Sequence, residues 1–143
     1  MVKFSQNFNK ILILIFVSKC LRENLKNLNK IYNAIRVPHS FARSIRDFSV
    51  LAYWKANEFK VFMLYTGLAT LINTLPTRYF EHYCLYTLIM RIMCDRDLKL
   101  DNDCVIVNLE QLLNVWHSGV EKNYGNFELT FTAHAHLHLP QQV

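Results

Sequence analysis

The sequence has few of the residues that interrupt regular structure, with only three glycines and three prolines among 143 residues. An all-β sandwich needs a turn about every ten residues, and turns rely on these residue types. Their scarcity argues against an all-β fold and favours long helices. Charged residues are also few, at 19%, whereas 52% of the residues are hydrophobic. This composition argues against disorder, and the length suits one domain with a real core.

The chain also lacks the short motifs of common enzymes. It contains no G-x-S-x-G, Walker loop, G-x-G-x-x-G or kinase motif set. Four aspartates lie close together (Asp95, Asp97, Asp101 and Asp103) but without the glycine and terminal glutamate of an EF-hand. A solvated turn is therefore favoured over a divalent-metal loop. We expect no catalysis by this chain alone and no small-molecule substrate.

The cysteines show no pairing pattern, because Cys20, Cys84, Cys94 and Cys104 are scattered and form no C-x-x-C. Free thiols in a reducing compartment are expected rather than disulfides. The sequence thus predicts a nuclear or cytoplasmic location.

Residues 1–19 form an apolar N-terminal segment around Ile11–Val17. Seven apolar residues after Lys10 resemble the core of a signal peptide, but no small-x-small cleavage site follows. A membrane span needs about 20 apolar residues. A core segment or a remnant is the favoured interpretation, and secretion is the alternative.

Apolar residues recur at helical spacing along most of the chain. Leu21, Leu25, Leu28, Tyr32 and Ile35 mark one helix, and Pro38 prevents its continuation. Three further helices are predicted. The first begins between residues 50 and 55 and ends at about residue 74, the second runs from Pro76 to about Met93, and the third lies around Trp116. The predicted fold is all-α, a single irregular bundle of about five helices.

Basic residues accompany an aromatic motif in the first half of the chain. The formal charge is +5, which favours contact with polyanions. Arg43 and Arg46 precede the motif W-K-A-N-E-F-K, which contains Lys55 and Lys60. These four are the candidate nucleic-acid contacts. The favoured alternative is structural, in which the motif begins a helix with Trp54 packed and Glu58 paired.

Three histidines alternate near the end of the chain. On a helix His134 and His138 would share a face, as two zinc ligands can, while His136 would point elsewhere; on a strand all three would share one face. A zinc site would need further ligands from Cys84, Cys94, Cys104 or His117. Hydrogen-bonded histidines without a cofactor are the favoured interpretation, and a site at His134 and His138 is the alternative.

Taken in order, these motifs resemble the region of CACTA (En/Spm-like) cut-and-paste DNA transposases that precedes their last catalytic glutamate. The matching features span about residues 20–143. They are Pro38, the R-x-x-R step, Trp54–Lys60, Met63–Tyr65, Thr74–Pro76, Phe80–His82, Tyr124–Gly125, and a T-x-N-x-H-x-x-x-H-L pattern matched by Thr130, His134, His138 and Leu139. Thr132 replaces the asparagine of that pattern.

The resemblance implies a helical insertion between strands of an RNase H-like nuclease fold. In such transposases two aspartates lie upstream and a glutamate lies downstream of the matched region, and together they hold two metal ions. The chain stops five residues past His138, so residues 20–143 are expected to be an insertion domain truncated at its C-terminus and without these acids. The related V(D)J recombinase catalytic subunit has a comparable insertion whose late histidines bind zinc.

The sequence therefore predicts a non-catalytic, transposase-derived fragment with residual DNA or protein binding. Its expected partners are DNA, the parent transposase domains or a second copy of the chain. A stand-alone helical protein-interaction module is the first alternative. A small secreted or membrane-associated protein is the second.

Overall fold

The computed structural model describes residues 24–37, 46–95, 103–124, 134 and 136–142. All regular secondary structure in these residues is helical, and the predicted all-α fold with about five helices is confirmed. The chain divides into an N-terminal unit, residues 6–76, and a C-terminal unit, residues 77–143 with 1–5. Among the described helices, none has the length and hydrophobicity that a membrane span requires. The apolar segment Ile11–Val17 lies outside the described residues.

Helix α1 (Leu25–Ala34) opens the described part of the N-terminal unit. Leu28 and Tyr32, one turn apart, are its buried residues, as the periodicity predicts. The helix ends where Ile35 takes an extended conformation. The end precedes Pro38, whose ring disfavours helical geometry in the residue before it.

A 3₁₀ segment (Phe48–Tyr53) follows and leads directly into the aromatic motif. Asp47 caps it, since its Oδ1 accepts a 2.7 Å hydrogen bond from the backbone N–H of Ser49. Phe48 and Leu51 point into the core, whereas the intervening residues remain partly or fully exposed.

The next helix was predicted as one continuous α-helix, and the structure divides it into three parts. Helix α2 (Ala56–Val61) passes into a π-helical turn (Phe62–Thr66) and then into helix α3 (Gly67–Leu71). All three parts keep helical backbone geometry, so the chain continues in one direction. The buried apolar side chains of this stretch are Phe59, Phe62, Met63, Leu64 and Leu71.

The C-terminal unit pairs two long helices, α4 (Thr77–Cys94) and α5 (Asp103–Tyr124), with a second 3₁₀ segment (His136–Gln142). Pro76 directly precedes α4, as expected of a residue that needs no helical N–H. Helix α4 buries residues around most of its circumference, although Leu88 remains 49% exposed. Trp116 of α5 is completely buried and anchors this unit.

Candidate functional site

The motif W-K-A-N-E-F-K is built around a buried glutamate. Glu58 is only 8% exposed, and its carboxylate accepts hydrogen bonds from Arg46 Nε and, at 2.6 Å, from Arg46 Nη2. Its Oε2 also accepts from the backbone N–H of Lys55 at 2.7 Å. Arg46 Nη2 donates in addition to the carbonyl oxygen of Tyr53 at 2.8 Å. We call this set of contacts among Arg46, Tyr53, Lys55 and Glu58 the clamp.

The clamp fixes the start of helix α2. Glu58 stands at the third helical position and satisfies the N–H of Lys55, which is half of a capping box. The side chain of Lys55 carries no acceptor and cannot supply the other half. The hydrogen bond from Arg46 to Glu58 raises the pKa of the Arg46 guanidinium, which keeps its charge.

An aromatic cluster supports the clamp from inside the unit. The Trp54 ring stacks on Tyr32 with centroids 5.7 Å apart and packs against Phe48, Phe59 and Phe62 at 5.2–5.9 Å. Its indole N–H donates to the carbonyl of Asp47 at 3.3 Å. Burial raises the pKa of Tyr32 to about 12. Trp54 is thus packed and Glu58 paired, as the structural interpretation of the motif predicts.

The four candidate nucleic-acid contacts differ in exposure and in whether the structure describes them. Lys55 and Lys60 are exposed at the surface of the N-terminal unit. The guanidinium of Arg46 donates its hydrogen bonds within the clamp, so its main role is structural. Arg43 lies outside the described residues.

The two acids that the structure describes in the N-terminal unit, Asp47 and Glu58, are engaged in internal contacts, and the third, Glu23, lies outside the described residues. Asp47 accepts from Asn29 Nδ2 at 2.6 Å and from the N–H of Ser49, and the latter bond lowers the pKa of its carboxyl. Glu58 is held in the clamp. Residues 6–76 contain ten lysines and arginines against three acids, whereas the remaining residues contain six against eight. The net charge of +5 therefore arises entirely from the N-terminal unit.

The histidine pair predicted as candidate metal ligands is brought together. His134 and His138 are both exposed, with ring centroids 5.4 Å apart, and His117 lies 5.9 Å from His134. His136 points into the core against Tyr86, as the helical interpretation predicts.

The pair has a spacing that zinc accepts, but it does not complete a zinc site in the described residues. Two imidazoles on one zinc ion have centroids about 5 Å apart, given Zn–N bonds of about 2.0 Å. His117 Nε2 is buried and has no hydrogen-bond partner among the described residues. Even so, within the part of the chain that the structure describes, no group of three histidines, cysteines or acids converges in a metal-binding arrangement.

A further histidine, His82, joins helices α4 and α5 and was not singled out as a site residue from the sequence. Its Nε2 lies 2.8 Å from the carbonyl oxygen of Trp116, and its Nδ1 lies 2.9 Å from the hydroxyl of Tyr124. Because a carbonyl can only accept, Nε2 carries the proton in the neutral ring and Nδ1 accepts from Tyr124. Burial lowers the pKa of His82. The ring therefore serves as a neutral crosslink between the two helices.

The thiols show no arrangement for catalysis in the described residues. Cys84, Cys94 and Cys104 form no disulfide with one another, and burial raises the pKa of the Cys84 thiol. A raised pKa disfavours the reactive thiolate. Cys20 lies outside the described residues, as do Asp97 and Asp101 of the acidic segment.

In comparisons with known proteins, no family model, no curated protein and no solved structure matches this chain.

Proposed function

We propose that this chain is a non-catalytic, transposase-derived helical module that binds DNA through its N-terminal unit. The proposal rests on one observation about that unit, namely that its described acidic side chains are engaged internally while several lysines face solvent. Its described carboxylates are both held by internal partners, whereas Lys26, Lys30 and Lys55 are exposed to solvent. Such a surface attracts phosphates, and the two carboxylates that the structure describes in this unit are already engaged by internal partners.

The resemblance to CACTA transposases supports the same assignment through the motif residues. Trp54, Glu58 and Phe59 form the interior of the N-terminal unit, which explains why a motif of this composition would characterise a fold rather than a reaction. Glu58 is occupied by Arg46 and by the N–H of Lys55, so it is not available as a metal ligand or a general base. The proposal therefore assigns binding to this segment and no chemistry.

The proposal is tested by measuring the affinity for a fluorescein-labelled 20-base-pair DNA duplex by anisotropy between 50 and 200 mM NaCl. Each neutralised phosphate contributes about −0.9 to the slope of log Kobs against log salt. We expect a slope of several units, and we expect the double variant Lys55→Ala, Lys60→Ala to reduce its magnitude by about 2.

Lys122→Ala is the matched control, because Lys122 is an exposed lysine on α5 of the C-terminal unit. It is expected to leave the slope unchanged. An equal loss of slope per lysine removed in the two variants would show that binding follows net charge alone and would refute a site on the N-terminal unit. Absence of salt-dependent binding would refute DNA binding altogether.

A protein-interaction module is the second candidate function, and exposed apolar side chains on the C-terminal unit favour it. Leu88 of α4 is 49% exposed, and Val107 and Val115 of α5 are 50% and 61% exposed. If DNA binding fails, self-association measured by analytical ultracentrifugation tests this candidate. Val115→Lys would be expected to abolish such association while leaving the helical content intact.

A further inference from the structure

Tyr53 is the most exposed aromatic residue that the structure describes in the N-terminal unit. Its side chain is 77% exposed, whereas Tyr32, Phe48 and Trp54 of the same unit are at most 6% exposed. A large aromatic ring left in water is informative when the neighbouring rings are buried, because it offers an unused π face.

The backbone that carries Tyr53 is held rigidly. Its carbonyl oxygen accepts from Arg46 Nη2 at 2.8 Å, and the next N–H, that of Trp54, donates to the carbonyl of Leu51 at 3.1 Å. The adjacent Trp54 ring is locked in the aromatic cluster. Docking a ligand on Tyr53 would thus order little more than the ring itself, which keeps the entropic cost of binding low.

Positively charged residues lie close to Tyr53 along the chain and at its backbone. Lys55 is two residues further on and exposed, and the Arg46 guanidinium, 34% exposed, touches the Tyr53 carbonyl. The nearest acid in the clamp, Glu58, is buried and neutralised by Arg46. An exposed ring with basic residues at its backbone and two positions along the chain has the ingredients by which proteins bind single strands, with bases on aromatic faces and phosphates on basic side chains.

We propose that Tyr53 is a base-stacking platform for single-stranded DNA, with Lys55 contacting an adjacent phosphate. This inference rests on the proposed DNA-binding function and names the form of DNA that the site prefers. In a duplex each base is already stacked between its neighbours, so Tyr53 can add affinity only for a strand with accessible base faces.

The test compares a fluorescein-labelled dT12 oligonucleotide with a duplex of the same length at one salt concentration. Tyr53→Ala is expected to weaken dT12 binding about 5- to 150-fold, the factor that one lost base stack implies. Duplex binding should change less than about twofold. Tyr53→Phe keeps the ring and should retain dT12 affinity within about twofold.

Tyr65→Ala is the matched control, since Tyr65 is a 55% exposed tyrosine of the same unit on the π-helical turn. It is expected to leave dT12 affinity nearly unchanged, and an equal loss would overturn the assignment to Tyr53. Retained dT12 affinity in Tyr53→Ala, with normal duplex binding, would overturn the stacking inference and leave the proposed function standing. Failure of the wild-type chain to bind either DNA would overturn both.

Discussion

The close approach of Gly119 to His82 makes a sharp prediction about the C-terminal unit. A Cβ placed on Gly119 would lie 2.8 Å from both Cδ2 and Nε2 of the His82 ring. The ring cannot easily withdraw, because it is stacked on Trp116 at an interplanar angle of 12° and hydrogen-bonded through both nitrogens. We expect Gly119→Ala to force apart α4 and α5 or to break the bond to Trp116.

Two opposing effects set the magnitude. Overpacking a tight core costs about 1–3 kcal/mol. Alanine is about 1 kcal/mol more favourable than glycine inside a helix, which offsets part of this cost. The net destabilisation of Gly119→Ala should therefore be about 1 kcal/mol. In a His82→Ala background the obstacle is gone, and the same substitution should stabilise the protein by up to about 1 kcal/mol.

The assay is urea denaturation followed by circular dichroism for the wild type, both single variants and the double variant. This double-mutant cycle isolates the contact between position 119 and the ring. We expect a coupling energy of about 1–3 kcal/mol, the overpacking cost itself. A coupling below about 0.5 kcal/mol, or a stabilising Gly119→Ala with His82 intact, would refute the packing argument.

Two further predictions concern buried polar groups. Because burial lowers the pKa of His82, the unfolded chain takes up a proton first as the pH falls below the ordinary value of 6.5. The contribution of neutral His82 to the free energy of unfolding should thus be fully present above about pH 7 and should be lost between about pH 6.5 and the lower folded-state pKa. His82→Gln should make the melting temperature less dependent on pH over this range. An unchanged pH dependence in this variant would contradict the argument. In the clamp, Glu58→Gln should lower the melting temperature measured by calorimetry more than Glu121→Gln, which alters an exposed glutamate on α5. Equal shifts would show that the clamp does not stabilise the fold.

The helices of this chain were predictable because helical periodicity is a local property of the sequence. Leu28 and Tyr32 mark the buried face of α1 one turn apart, and Trp116 and Val120 do the same on α5. The helix was predicted to begin between residues 50 and 55, whereas α2 begins at Ala56, because a 3₁₀ segment occupies Phe48–Tyr53. The π-helical turn was missed, since a pattern read with a fixed period of 3.6 residues cannot register one extra residue in a turn.

The polar core was less predictable because its partners are distant in sequence. Pairing of Glu58 was expected, but nothing in the local pattern identified Arg46, twelve residues earlier across an irregular segment, as its partner. His82 contacts backbone and side-chain atoms 34 and 42 residues away. In a hydropathy pattern, such a histidine reads as a polar interruption of an apolar helix. In the folded protein, its hydrogen bonds connect two helices.

The π-helical turn at Phe62–Thr66 bears on how this chain should be compared with others. A π turn contains one residue more than the α turn it replaces, and each residue rotates an α-helix by about 100°. Such a turn accommodates one inserted residue locally, so the helices on either side keep the same residues on their buried faces. Chains of common ancestry can therefore differ in length by one residue here and share the same core. An alignment that forbids a gap at this point would place every residue from Gly67 onward one position out of register.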